Sequence, residues 1–167
     1  MLLPIVTYPD PLLRDTCTKI DTFDADLSQL ADNMFETMYR NQGIGLAGPQ
    51  VGKTIRLIVI DPSFGEDADI AMPLVNPEIV ASDGMLEPFE EGCLSIPGVR
   101  GPVSRAAHVT VKYQDLQGTE QVIDGQDLVS IVLQHEIDHL NGVLFIDHVK
   151  GISRTLVDKK LRKLVHS

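Results

Sequence analysis

Apolar residues recur at helical spacing in three stretches of the chain. In the first stretch, Leu27, Leu30, Met34 and Met38 lie three or four residues apart, and Gly43 follows as a stop signal. This spacing predicts an N-terminal helix over roughly residues 25 to 41, with its Met and Leu stripe in the core.

Two further helices are predicted in the last quarter of the chain. The stretch "QDLVSIVLQHEIDHL" has the length and periodicity of a buried helix. The stretch "GISRTLVDKKLRKLVHS" predicts a C-terminal helix with four core contacts, namely Ile152, Leu156, Leu161 and Leu164.

Between these helices the pattern is that of strands. "TIRLIVID" (54–61) is β-rich and ends at Asp-Pro, and "MPLVNPEIV" is an extended stretch that Pro77 is expected to break. "HVTVKYQDLQGTEQVID" predicts a hairpin with "DLQG" as its turn, since Val109, Val111 and Tyr113 alternate with polar residues. The order of elements favours an α+β fold of mostly antiparallel strands around a central helix, with N-terminal and C-terminal helices.

Composition agrees with one globular domain over residues 1–167. Hydrophobic residues make up 43% and charged residues 23% of the 167 residues, enough for a single sizeable core. Since no apolar run reaches the length of a membrane span and the N-terminus has no signal-peptide pattern, we expect a cytoplasmic protein without a membrane partner. The only two cysteines, Cys17 and Cys93, are expected to be free thiols.

Charge is distributed unevenly along the chain. The net charge of -10 argues against binding to free nucleic acid. Residues 150–167 nevertheless carry six Lys and Arg against one Asp, so this segment is +5 and the rest of the chain is -15. The basic segment fits either a solvated amphipathic end helix or a docking element for an anionic partner.

The central helix contains a metal-binding pattern. "QHEIDHLNG" (134–142) places His135 and His139 four residues apart, on one face of a helix, with Glu136 about 100° around the axis. This is the H-E-x-x-H spacing, in which the histidines bind a metal ion and the Glu acts as base. The two histidines also continue the apolar stripe of Leu128, Ile131 and Val132, so they are expected to face inward.

The third metal ligand is not obvious from this helix. Zinc proteases with a downstream third His would need one where Phe145 stands, and no Glu follows His139. The third ligand therefore lies upstream or is one of the aspartates Asp147 and Asp158. The upstream candidate is Cys93 in "EEGCLSIPG", because a thiolate is a strong ligand for zinc or iron. Cys17 lacks such surroundings and is expected to be structural.

Three segments in this order, "GIGLAGPQ", "EGCLSIP" and "QHEIDHLNG", resemble the motifs of peptide deformylase. That family removes the formyl group from the starting methionine of new bacterial proteins. The resemblance implies a hydrolase with one divalent metal ion and an N-formyl-methionyl nascent peptide as substrate. It also implies roles for six residues: Cys93, His135 and His139 as ligands, Glu136 as acid and base, and Gln50 and Leu94 at the oxyanion.

The resemblance also implies how the peptide binds. Ile44 and Gly45 would receive it as an added strand, and Arg100 would contact its backbone. Five apolar residues are candidates for the walls of the methionine pocket: Ile44, Phe89, Leu128, Ile131 and Val132. Glu91 and Arg105 are expected to form a pair that braces the strand of Cys93.

One position departs from the resembled motif. Gly48 follows Ala47 where the family usually has a second alanine, and glycine gives this loop more backbone freedom. The expectation is that activity survives, with the fine positioning of Gln50 in question.

Metal identity and partners are further expectations. Ligand chemistry alone favours Zn²⁺, whereas the resemblance implies Fe²⁺ in cells, with Ni²⁺, Co²⁺ or Zn²⁺ as substitutes. The resemblance also implies that the basic C-terminal helix docks on the ribosome, and we expect a monomer. Two alternatives are a zincin-like endopeptidase and a non-catalytic metal-binding or ribosome-associating homologue.

Overall fold

The computed structural model describes residues 1–166. Its three helices are α1 (Ala25–Arg40), α2 (Leu128–Leu140) and α3 (Gly151–Val165). Its strands are β1 (Gly45–Ala47), β2 (Leu57–Ile60), β3 (Met72–Asp83), β4 (Phe89–Cys93), β5 (Ile96–Val103), β6 (His108–Gln114) and β7 (Glu120–Gln126).

The strands form two antiparallel sheets on either side of α2. One sheet has five strands in the order β1-β2-β3-β6-β7, and the other is the β4-β5 hairpin. The α2 helix packs on the five-stranded sheet through Val132, Leu133 and Ile137, while α3 packs on β5. The predicted α+β fold with a central helix is therefore confirmed.

The β6-β7 hairpin was correctly predicted from its alternation. Val109, Val111 and Tyr113 are buried, and the residues between them are not. The Asp115 carboxylate closes the turn because it accepts hydrogen bonds from the backbone N–H groups of Gln117 and Thr119, at 2.9 and 3.0 Å.

The expected break at Pro77 is wrong. Strand β3 runs through this residue from Met72 to Asp83. The pairing register with β6 shifts between Val75 and Glu78, and Asn76 has a φ of 51°. Proline is tolerated at such a bulge because a bulge residue gives no hydrogen bond to the ladder.

Helix α1 begins and ends close to its predicted bounds. The Asp24 side chain accepts a hydrogen bond from the Leu27 N–H at 3.0 Å and so caps the first turn. Leu27, Met34 and Met38 are buried, as the stripe predicted.

The core face of α3 was only half predicted. Leu161 is buried, and Leu164 packs partly buried against the same apolar cluster. The predicted contacts Ile152 and Leu156 are wrong, since they are 83% and 58% exposed, and Val157 is buried instead. The reason is that α3 contacts the protein along one narrow face, which includes residues 157, 161 and 164 but not 152 or 156.

Across residues 1–166, no helix combines the length and the apolar character that crossing a membrane would require.

Candidate metal and catalytic site

Cys93, His135 and His139 meet in the interior of the molecule. Their ligand atoms all lie within 4.8 Å of one another, and Cys93 Sγ is 3.4 Å from His139 Nε2. Cys93 ends strand β4, and the histidines lie one turn apart on the inward face of α2. The predicted upstream cysteine thus lies beside the two histidines.

The aspartates that were alternative third ligands are engaged elsewhere. Asp147 accepts two hydrogen bonds from Arg14, at 2.6 and 3.0 Å, and Asp158 pairs with Arg154 at 2.8 Å. Phe145, which stands where a metzincin would have its third histidine, is buried in the core. Its ring stacks on that of His135, with centroids 6.2 Å apart.

A buried carboxylate orients His135. His135 Nδ1 lies 2.9 Å from Glu91 Oε1, which leaves Nε2 available to a metal ion. The predicted pair between Glu91 and Arg105 is present, with two hydrogen bonds of 2.7 and 2.9 Å between side chains that are almost fully buried. Burial alone would raise the pKa of Glu91, but His135 and Arg105 hold it below its usual range.

The two histidines differ in their electrostatic surroundings. Burial opposes a positive charge on His135, but Glu136, Cys93 and Glu91 outweigh it and raise the pKa of this ring well above its usual value. Burial and the nearby His135 lower the pKa of His139 well below that value. His139 Nδ1 is buried without a hydrogen-bond partner. A divalent cation suits this donor set, which consists of the neutral His139 ring, the Cys93 thiol and the His135 ring with its negative neighbours.

Glu136 lies next to this donor set. It is buried, and its Oε1 atom has no hydrogen-bond partner. Burial raises its pKa to about 7, despite the opposing effects of His135 and Arg105. A Cβ atom at Gly45 would lie only 2.7 Å from Glu136 Oε2, so the glycine of β1 leaves room for this carboxylate. Such a carboxyl group can both accept and release a proton at neutral pH.

Gln50 points its amide nitrogen at the same place. It lies in a short 3₁₀ helix, Gly48–Val51, and is buried. Its Oε1 accepts a hydrogen bond from the Ala47 N–H at 3.0 Å. Its Nε2 lies 3.4 Å from Cys93 Sγ and 3.3 Å from the hydroxyl of Ser95. The sequence reasoning missed Ser95, and its only signal was its position inside the "EGCLSIP" segment.

The glycine at position 48 has a packing reason. A Cβ atom there would lie 2.6 Å from the carbonyl oxygen of Lys53 and 2.8 Å from that of Ile55. These are backbone atoms and cannot rotate away. The Gly48 carbonyl also accepts a hydrogen bond from the Lys53 N–H at 2.9 Å. Glycine at position 48, where the resembled motif has alanine, therefore allows residues 53–55 to approach closely the turn that contains Gln50.

An open cleft with a volume of about 800 Å³ leads to the site. All the predicted substrate-binding residues line it: Ile44, Gly45, Phe89, Arg100, Leu128, Ile131 and Val132. Leu94 lines it too, together with Gln50, Cys93, His135 and Glu136. Sequence reasoning missed three parts of the wall: residues 41–43 after α1, Glu90 and Gly92 of β4, and residues 96–99 of β5.

Arg100 and Phe89 lie on the hairpin side of the cleft. Arg100 Nη2 donates a hydrogen bond to the Glu90 carbonyl at 2.9 Å, and its guanidinium lies against Gly92. Phe89 is 42% exposed and forms part of the rim rather than of the buried wall. The first turns of α2 thus give the cleft an apolar wall through Leu128, Ile131 and Val132, and the β4-β5 side carries the cation of Arg100.

The site combines a thiol and two imidazoles at coordinating distance with a carboxyl group that titrates near neutrality and an amide donor. These groups together define a mononuclear metal hydrolase. The family model described as polypeptide deformylase matches residues 2–155. The peptide deformylase of Acidobacterium capsulatum is 48% identical over 98% of this chain and 96% of its own length. That of Rhizobium meliloti is 44% identical over 96% and 92%.

Solved structures agree with these relatives. A crystal structure of a peptide deformylase from Legionella pneumophila superposes with a TM-score of 0.90 at 43% identity, covering 99% of this chain and 96% of its own. A plant peptide deformylase gives 0.92 at 41% identity, covering 97% and 88%. The chain belongs to the peptide deformylase family. It is a metal-dependent hydrolase that removes the N-formyl group from nascent peptides.

Proposed function

We propose that Cys93, His135 and His139 hold one divalent metal ion, and that Glu136, Gln50 and Leu94 act on the formyl group beside it. The observation that carries this proposal is the convergence of the three ligand atoms within 4.8 Å, next to a buried carboxyl group, at the base of the cleft. When bound, a divalent ion would supply Lewis acidity that lowers the pKa of a water molecule and polarises a carbonyl.

Glu136 transfers the proton in this proposal. Its carboxylate takes a proton from the attacking water and gives it to the nitrogen of the leaving amine. The second transfer is as necessary as the first, because an amine leaves poorly unless it is protonated. The pKa of about 7 and the Oε1 atom without a partner suit a group that must be base and then acid in one turnover.

Gln50 and Leu94 stabilise the negative charge that develops on the formyl oxygen. The hydrogen bond from the Ala47 N–H to Gln50 Oε1 fixes the amide so that its NH₂ group faces the site. The backbone N–H of Leu94 is the second donor. Loss of one such donor costs roughly 10²–10³ in kcat, so a Gln50→Ala variant should show a fall of this size.

The substrate lies along β1 as an added strand. Strand β1 is at the edge of the five-stranded sheet, with β2 on one side only, and Ile44 and Gly45 line the cleft on its other side. The methionine side chain occupies the apolar part formed by Ile44, Phe89, Leu128, Ile131 and Val132. Arg100 contacts the peptide backbone.

For the metal we propose Fe²⁺ in cells, with Zn²⁺, Ni²⁺ or Co²⁺ in protein purified in air. Imidazole and thiolate ligands suit all of these ions, so the ligands alone do not choose among them. Elemental analysis of protein purified without oxygen tests the choice. Iron at one ion per chain supports it, and zinc at that level would contradict it.

We also propose that the protein is a cytoplasmic monomer that docks on the ribosome through α3. Lys159, Lys160 and Lys163 are exposed on this helix and could contact an anionic surface. Their replacement by Glu should weaken ribosome binding at low salt without removing the buried Leu161 from the core. Unchanged ribosome binding would mean that the basic segment is a solvated end helix and not a docking element.

Formate release separates deformylation from the endopeptidase alternative. The protein should release formate from a formyl-Met-Ala peptide and leave internal peptide bonds intact. Background formate together with cleavage of an internal bond would contradict the proposal. Binding of metal with neither reaction would favour the non-catalytic homologue.

A further inference from the structure

A series of charged side chains connects the cleft to the protein surface. Beyond its two hydrogen bonds to Glu91, Arg105 donates a third from Nη1 to Asp138 Oδ2 at 2.9 Å. The same carboxylate oxygen lies 2.9 Å from Nε2 of His148. The path therefore runs from His135 through Glu91, Arg105 and Asp138 to His148.

From Glu91 outward, the exposure of the side chains increases along this path. The side chains of Glu91 and Arg105 are 3% and 4% exposed, that of Asp138 is 26% exposed and that of His148 is 40% exposed. Arg105 is thus a buried cation whose outer partner is in partial contact with water. A buried guanidinium that loses a partner pays the cost of an unsatisfied charged donor, so Asp138 matters more than a surface acid would.

The path connects the two elements that supply the metal ligands. Glu91 lies on β4, two residues before Cys93, and Asp138 lies on α2, one residue before His139. Arg105 bonds to both, and so holds β4 and α2 at a fixed separation. His148 ends the 3₁₀ turn Phe145–His148 and is a second partner, after Arg105, for the Asp138 carboxylate.

The net charge of this series of side chains also favours a metal cation at the ligand atoms. Glu91 and Asp138 bring two negative charges against the single positive charge of Arg105. The excess negative charge lies behind His135, where it stabilises positive charge at the ligand atoms.

We propose that Asp138 and His148 are positioning residues for the metal site. Asp138 fixes Arg105, Arg105 aims Glu91, and Glu91 holds His135 in the orientation that metal binding needs. The inference rests on the proposed ligand role of Cys93, His135 and His139. Neither Asp138 nor His148 touches substrate.

Affinity for Co²⁺ tests the proposal. The variants are Asp138→Asn and His148→Gln, and the readout is competition for Co²⁺ against a chelator, followed by the cobalt–thiolate absorption band. Partners that orient metal ligands contribute 10- to 100-fold to metal affinity. We expect roughly a tenfold loss for Asp138→Asn, and a smaller loss in the same direction for His148→Gln, which is at the outer end.

Asp147→Asn is the matched control. Asp147 lies in the same turn as His148 and, like it, is exposed, but it pairs with Arg14 and not with Arg105. This variant should bind Co²⁺ like the original chain, even if it unfolds at a lower temperature. His148→Gln changes a half-exposed side chain, so it gives an answer even if Asp138→Asn fails to fold.

Two outcomes would overturn the proposal in different ways. Unchanged Co²⁺ affinity in both variants, or a loss equal to that of Asp147→Asn, would leave Asp138 and His148 with a structural role only, while the proposed metal site stands. Absence of Co²⁺ binding by the original chain would refute the metal site itself, and the positioning role with it.

Discussion

Helices α2 and α3 were predicted from the same kind of apolar periodicity, yet they differ in what they bury. Helix α2 buries His135, Glu136 and His139 on its inward face. Helix α3 leaves Ile152 and Leu156 in solvent. Helix α2 therefore buries ionisable side chains, whereas α3 exposes large apolar ones.

The difference follows from what packs around each helix. Helix α2 lies between the five-stranded sheet on one side and the β4-β5 hairpin that carries Cys93 on the other. Helix α3 contacts the protein through one narrow face against β5. Buried polar groups are costly, so a chain that retains three of them within five residues of its most enclosed helix does so for their chemistry.

The largest expected effect is on turnover. Replacing Glu136 by Gln keeps the volume of the side chain but removes its ability to accept a proton. Formate release should fall roughly 10²- to 10⁴-fold, while metal content stays at that of the original chain. Glu120→Gln, which changes an exposed acid on β7, is the control and should leave turnover unchanged. Full turnover by Glu136→Gln would exclude its acid–base role.

On α3, the residue that should matter most is Leu161. Its side chain is 5% exposed, within the cluster that includes Phe145 and Val157. Leu161→Ala should lower the free energy of unfolding by about 2–5 kcal/mol, measured by urea denaturation. A loss below about 1 kcal/mol would mean that α3 is only loosely attached to β5.

Gly48 links packing to catalysis. In Gly48→Ala the new Cβ must move either residues 53–55 or the turn that carries Gln50. Residues 54 and 56 are each held to Thr18 by a backbone hydrogen bond of 2.9–3.0 Å, so the turn should move. We expect a loss of about 1–3 kcal/mol in stability, and a fall in kcat larger than any rise in KM.

Ala31→Gly serves as the control for this variant. It changes a buried position of α1, away from the cleft, and costs about 1 kcal/mol through helix propensity. It should lower stability without lowering kcat. If Gly48→Ala behaves in the same way, then glycine at this position affects packing alone.

The smallest effect is expected on the outer face of α3. Because Ile152 and Leu156 are exposed, Ile152→Ser and Leu156→Ser should change the free energy of unfolding by less than about 0.5 kcal/mol. The same urea titration used for Leu161→Ala measures them. A loss of 2 kcal/mol in either variant would show that this face is covered by another surface in solution.

Local patterns were sufficient for much of the fold and for the candidate metal ligands. The helices and the β6-β7 hairpin follow from periodicity and turn residues, and His135 and His139 follow from their spacing. Cys93 was a candidate because the acids after His139 were few and Phe145 replaced a histidine.

Other features could not be predicted because they depend on contacts between residues far apart in the chain. Examples are the position of Ser95 near Gln50, the stacking of Phe145 on His135, and the contact of Asp138 with Arg105. The path of β3 through Pro77 and the exposure of Ile152 also depend on which elements pack beside them. Sequence spacing carries no signal for either.

Removal and return of the metal show whether deformylation depends on an ion bound at this site. The protein would be stripped of metal with a chelator under anaerobic conditions and assayed for formate release from formyl-Met-Ala before and after adding one equivalent of Fe²⁺ per chain. We expect stripping to abolish activity and one equivalent of Fe²⁺ to restore it. Formate release that continues at full rate in the stripped protein would show that the reaction does not need the metal ion.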